Sequence, residues 1–310
     1  MDDGVEARSL RRRTLLRRAA AVGLLAGAGS RVPAARPRAL TWAIVDWAPL
    51  FVFDPARPPT RASELGDGVA DVAMAEVSAR LPQYEHRFEP VSGRRLALAL
   101  NSEREFCFAA LLKTPERAQR YHLLPWSAMP PPVLAVRAGL AARLPEGEVS
   151  LAELLRRDDL RGAVEARRSY GAGPDRLIAE ARPGLIREEV GAPGQLLRLI
   201  ALGRYDYTLE YPLAVEQQQR SRGLPGDGSL VLRPLLEARE WPVLHIACRR
   251  GPAGLETAKA LAQAISDAAR SHTGLREAVP RWLPPAQRAA ARARLDPFFD
   301  QLAVTPTRVE

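Results

Sequence analysis

The sequence is poor in the groups that metal binding and covalent catalysis require. Among its 310 residues there are four histidines, His86, His122, His245 and His272, scattered over four segments with no pair at H-E-x-x-H spacing. No G-x-S-x-G nucleophile elbow, phosphate-binding loop or dinucleotide glycine pattern occurs. No metal site, no cofactor and no enzymatic activity are therefore expected. No apolar run reaches the ~20 residues of a membrane span. Internal repeats and low-complexity segments are missing too, which excludes a repeat array or a disordered tail.

Cysteine is scarce. Cys107 and Cys248 are the only two, and they sit in apolar runs that read as strands, Phe106 to Leu112 and Val243 to Cys248. In an oxidising compartment they pair if those strands are neighbours with Cα atoms within ~7 Å. Otherwise they are two independent buried thiols, and both readings stand.

What the chain has in excess is positive charge, +9 overall, but residues 1 to 39 hold nine arginines against Asp2, Asp3 and Glu6. The remainder is nearly balanced, without the basic stripe of a nucleic-acid binder, so no nucleic-acid partner is expected. The arginines of the first segment precede a short apolar run, Ala19 to Ala28, and small residues follow; these are the three parts of an export signal. Arg12-Arg13-Thr14-Leu15-Leu16-Arg17 fits the twin-arginine pattern, with an arginine-rich general secretory signal as the other reading. Cleavage after Ala28, Ala35 or Ala39 would release a soluble chain into the periplasm.

Beyond the signal, strand-like and helix-like pieces alternate, which predicts an α/β fold with mostly parallel sheets. A strand from Thr41 to Val45, a helix carrying Val69, Ala73, Val77 and Leu81 at four-residue spacing, a strand at Tyr84 to Phe88, a helix over Arg94 to Leu100 and a strand from Phe106 form one unit. The proline-rich stretch Pro125 to Pro132 reads as a connection into the strand Val133 to Val136. A second unit has strands at Gly162 to Ala166 and Tyr205 to Leu209, a helix at Gln195 to Leu202 and a glycine-rich connection from Gly223 to Gly228. The segment Pro242 to Cys248 then returns to the first unit, ahead of a long helix from Ala253 to Ala269. This order predicts two lobes, 40–136 with 241–310 and 137–240, joined by two crossing strands. A cleft between them would close on a ligand.

Candidate ligand-binding residues fall at strand ends and helix starts. Thr114-Pro115-Glu116-Arg117 is a capped helix start, and Arg117 in its first turn suits a two-pronged contact to a carboxylate. Trp47 follows the first strand, where it either covers a flat or cationic part of a ligand or packs at the core edge. Ser169 and Tyr170 hold the equivalent place in the second unit, and Glu210 and Tyr211 follow its strand at Tyr205 to Leu209.

The export signal, the strand ending in Trp47-Ala48-Pro49, the helix after Gly68, Thr114-Pro115-Glu116-Arg117 and Gly203-Arg204-Tyr205-Asp206, in this order, resemble the family 3 extracellular solute-binding proteins, which serve polar amino acid uptake through ATP-driven transporters. A little-characterised proteobacterial branch with Lys-Thr-Pro-Glu-Arg and Glu-Tyr-Pro is the nearer likeness. The resemblance implies a type II periplasmic binding fold and a monomer that delivers its solute to a transporter permease or a sensor. It puts Arg117 on the ligand carboxylate, Trp47 over the ligand and Ser169 near the carboxylate. It also marks departures. Ala109, Ala110, Leu111 and Leu112 stand where hydroxyl residues are usual, and Tyr211 stands where an aspartate holds the ligand ammonium. A small anionic or zwitterionic solute is the expected partner, and a carboxylate is better supported than an α-amino acid. The alternative is an exported accessory or scaffold protein that kept the fold without a transport ligand.

Overall fold

Alternating strands and amphipathic helices build two separate sheets, each with its own apolar core. The computed structural model describes residues 38–309 except 103, 182–183, 191–193, 222–229 and 272–273. Of the expected export signal, 1–39, all but the last two residues lie outside the described residues, as do His272 and the Gly223 to Gly228 connection.

The chain opens with β1 (Arg38–Ile44), α1 (Val69–Ala79), β2 (Tyr84–Pro90), α2 (Gly93–Asn101), β3 (Cys107–Leu112), α3 (Pro115–Arg120) and β4 (Tyr121–Ala128). It continues through β5 (Val133–Arg137), α4 (Ala138–Ala141), α5 (Leu151–Leu154), β6 (Ala163–Glu165), α6 (Ala172–Glu180), β7 (Ile186–Glu188), α7 (Gln195–Ala201), β8 (Tyr207–Glu210), α8 (Pro212–Ser221) and β9 (Leu230–Pro234). It finishes with β10 (Val243–Arg249), α9 (Pro252–Ala269), α10 (Leu275–Ala278) and α11 (Pro285–Val304).

The first sheet has the order β2-β1-β3-β10-β4, the second β8-β5-β9, and β6 and β7 form a small parallel pair beside it. We call the bodies around the two main sheets lobes. Where mostly parallel sheets are expected, the first is mixed and the second antiparallel. β1 runs parallel to β2 and β3, but β10 is antiparallel to β3 and β4, and β5 is antiparallel to β8 and β9. The reason is connectivity: β5 and β10 are the strands by which the chain leaves and re-enters the first lobe. β5 pairs only within the second sheet, so the first crossing falls at 129–132.

Part of the proline-rich stretch is strand. β4 takes in Pro125 at the edge of the first sheet, opposite His245 and beside a register shift, where a missing backbone donor is tolerated. Ahead of it, Thr114 caps α3, its Oγ1 accepting from Arg117 N at 3.3 Å.

In the first core, Val69, Ala73, Met74 and Val77 of α1 pack with Ala258, Leu261 and Ile265 of α9, all fully buried, around Trp42 and Trp126. Each large side chain so buried stabilises by roughly 1.5–3 kcal/mol. The second core gathers Leu134, Val136, Leu151, Leu154, Tyr207 and Leu209. Tyr211 and Leu213 follow β8 in sequence yet pack into the first cluster. At Gly162, a Cβ would lie 2.2 Å from the Tyr207 ring, so that close approach needs glycine.

Cys107 and Cys248 face each other in the β3–β10 register and form a disulfide with Cα atoms 4.2 Å apart. Of the two readings open for them, the bridge holds.

Candidate functional site

A cleft lies between the lobes, with an empty volume of about 1450 Å³ counted to its open mouth. The first lobe contributes Trp47, Leu96, Leu100, Phe108, Ala110, Leu111, Leu112, Arg117, Met129 and Leu244. The second contributes Glu165, Arg168, Ser169, Leu196, Glu210, Tyr211 and Leu213. The wall before α3, where hydroxyls would be usual, is apolar.

Trp47 is presented by the loop after β1. Its carbonyl accepts from Leu50 N at 2.9 Å and Phe51 N at 3.2 Å, and the buried Phe51 ring stacks on Phe108 at 5.5 Å. The buried Asp71 of α1 ties down the same loop, its Oδ2 accepting from Val52 N at 2.7 Å. Trp47 therefore sits on a fixed support.

Arg117 reaches the cleft from α3. Its Nη1 donates to Leu112 O at 2.8 Å, and among the described residues no acidic side chain pairs with it. Burial pushes its pKa down, opposed chiefly by the charge of Asp175 and then by Tyr211, Glu116 and Tyr121. A half-buried guanidinium with open donors and no carboxylate is suited to receive an anion. Because α3 is only six residues long, the side chain, and not the helix end, carries that capacity.

Opposite stands Arg168, which immediately precedes Ser169 and was not among the candidates from the sequence. Its guanidinium carbon lies 5.3 Å from the ring centroids of Trp47, Tyr170 and Tyr211 alike. Its terminal nitrogens grip both carboxylate oxygens of Glu210, one at 3.0 Å, and Nη1 also donates to Glu165 at 3.1 Å. Only 12% of the side chain is exposed. Burial alone would lower the Arg168 pKa, but Glu210, Tyr170 and Glu165 outweigh it and hold it well above its ordinary value. The same burial raises the pKa of Glu165, against the pull of Arg168.

Of the residues singled out in the sequence, Trp47, Arg117, Ser169, Glu210 and Tyr211 line the cleft. Two do not. Thr114 is spent as the cap of α3, and Tyr170 is 1% exposed, its hydroxyl accepting from Glu165 N at 3.0 Å and its ring stacked on Tyr211 at 6.5 Å. Ser169 Oγ donates to Asp175, which also accepts from Tyr170 N at 2.6 Å. The Tyr211 hydroxyl donates to Ser169 O at 3.1 Å, and burial raises the pKa of Tyr170 and Tyr211 well above the ordinary tyrosine value. Glu210 is taken by Arg168 and by Tyr211 N, the latter at 2.8 Å. Among the described residues no group of three His, Cys, Asp or Glu side chains could hold a metal ion, and no helix is long and apolar enough to cross a membrane.

No protein-family model matches the sequence, and no curated protein matches it. Solved structures do match the fold. A histidine kinase sensor domain with similarity to periplasmic binding proteins gives a TM-score of 0.58 at 16% identity, covering 84% of this chain and 96% of that one. The substrate-binding protein of an amino acid ABC transporter gives 0.56 at 11% identity, covering 79% and 98%. Tv2483, solved with bound L-arginine, gives 0.54 at 16% identity, covering 79% and 88%. At such identities the likeness shows the architecture: the chain has the type II periplasmic binding protein fold. That fold is shared by binding proteins of amino acid transporters and by at least one kinase sensor domain.

Proposed function

We propose that this protein is a family 3 solute-binding protein that captures a small carboxylate-bearing solute in its cleft for an ABC-type transporter or a sensor. The observation that carries the reading is Arg117, a guanidinium on the cleft wall with no acidic partner among the described residues. Solute-binding neighbours of the same fold, one of them with bound L-arginine, support it. Binding is favoured over catalysis because the buried Glu210 and the half-buried Glu165 are tied to Arg168 and not free to move protons.

The same reading places the protein in the periplasm after removal of a twin-arginine signal. Arg38 and Ala39 pair with Tyr84 and Glu85, and Arg38 bonds Glu256. Cleavage after Ala28 or Ala35 keeps β1 whole, whereas cleavage after Ala39 would remove its first two residues.

The test is calorimetry or thermal shift with amino acids, small organic acids and peptides on wild type and Arg117→Ala. Loss of a bidentate charged contact should weaken binding by about 2–5 kcal/mol. Equal affinity in the variant would refute the clamp. One observation favours a second reading, an exported accessory protein: Arg168 already fills part of the cleft. A cleft that stays empty in every screen, with co-purification of a membrane partner, would support that alternative.

A further inference from the structure

Three aromatic faces around one guanidinium, closed by a bidentate carboxylate, make a receptor for a cation. In this cleft the receptor is filled by the chain itself. Trp47 comes from the first lobe and Tyr170, Tyr211 and Glu210 from the second, so Arg168 spans the gap that a guest would bridge.

The other acids nearby are also engaged. Glu165 bonds Arg168, Asp175 holds Ser169 Oγ and Tyr170 N, and Glu189 pairs with Arg167. Asp46, the remaining acid on the wall, is exposed to solvent, where attraction for an ammonium is weak. What the cleft offers a guest is thus one open guanidinium, Arg117, and an apolar wall including Leu96, Leu100, Ala110, Leu111 and Met129. An ammonium brought here would lose its hydration, find the buried carboxylates occupied and face Arg168 as a like charge.

We infer that Arg168 is an internal stand-in for a ligand's cationic group, so that the cleft selects solutes with a carboxylate and an apolar body and rejects those that also carry an ammonium or guanidinium. This rests on the solute-binding reading above and narrows its substrate class.

The experiment compares matched pairs by calorimetry, 4-methylpentanoate with leucine and 3-phenylpropanoate with phenylalanine, on wild type, Arg168→Ala and Arg117→Ala. Wild type should bind the amine-free acid at least about tenfold more tightly. Arg168→Ala should lose or reverse that preference, and low millimolar methylguanidinium should raise the thermal midpoint of Arg168→Ala and leave wild type unmoved, by refilling the cage. If Arg168→Ala does not fold, Arg168→Ala/Glu210→Gln removes the uncompensated buried charge and replaces it in the matched-pair arm, while the methylguanidinium arm, which needs the Glu210 carboxylate, is read as recovery of folded Arg168→Ala when methylguanidinium is added. Equal binding of both members by wild type, abolished in Arg117→Ala, would overturn the role of Arg168 and leave the solute-binding reading intact. An unchanged preference in the Arg168 variant, with no response to methylguanidinium, would do the same. If wild type binds no member of either pair and methylguanidinium has no effect on the variant, both fall together.

Discussion

Glu210 holds both terminal nitrogens of Arg168 in its two carboxylate oxygens, with 7% and 12% of the respective side chains exposed. Such a pair is costly to break on one side, because the surviving charge stays desolvated. Glu210→Ala leaves Arg168 with Glu165 alone and should lower the unfolding free energy by about 3 kcal/mol in urea titrations. An unchanged midpoint would mean that the guanidinium escapes to water in the variant.

Arg117 should behave in the opposite way. Among the described residues its side chain bonds Leu112 O and pairs with no acid, and its desolvation cost outweighs the more distant attraction of Asp175 and Glu116. Arg117→Met should therefore leave the ligand-free protein as stable as wild type, or more stable by up to about 1 kcal/mol, while removing carboxylate binding. A large loss of stability would recast Arg117 as a structural residue.

Acid titration should reveal two buried groups with opposing slopes. Burial raises Asp71 to about 6, against backbone hydrogen bonds from Val52 and Gly68, and burial lowers His245 to about 4. For Asp71 the folded pKa exceeds the unfolded one, so its contribution is full below pH ~4 and is lost as pH rises through about 6. For His245 the folded pKa is the lower, so its contribution is full above pH ~6.5 and is lost as pH falls through about 4. Relative to wild type, Asp71→Asn should gain stability as pH rises from 4 to 6.5, and His245→Phe as pH falls over the same window. Each change should reach up to about 3 kcal/mol. Denaturation midpoints at five or six pH values decide it, and parallel curves would show that neither group titrates as its burial dictates.

The Cys107–Cys248 bridge joins two central strands across 141 positions of chain. Protein purified without reductant should have no alkylatable thiol by mass spectrometry. The Cys107→Ala/Cys248→Ala variant should be less stable by about 2–4 kcal/mol. Two free thiols in the untreated protein would contradict the pairing.

Much of the scaffold was legible because it is written in local patterns. The four-residue spacing of Val69, Ala73 and Val77, the cap at Thr114 and the apolar run at β10 each announce one element. Strand direction is not local, so the antiparallel β5 and β10 could not be read from periodicity. β4 was hidden because Pro125 marks a turn unless the strand lies at an edge. Arg168 was missed for a related reason: its partners Trp47 and Glu210 lie far off in sequence, and an arginine in a loop reads as a solvated charge until the fold surrounds it. Tyr170 shows the reverse error, a strand-end aromatic that supports the cage from below the cleft surface.

Because β10 is laid between β3 and β4, the first sheet has a gap at its centre until residue 249 has been made. The strands of the second sheet fall between residues 133 and 234, so a growing chain can finish that sheet first while Cys107 waits without a mate. A product truncated before β10 would leave open backbone edges on β3 and β4 and bare the neighbouring apolar faces of Phe108 and Trp126, surfaces that proteases and chaperones engage. The first sheet is therefore closed only when β10, a late strand, has entered between β3 and β4.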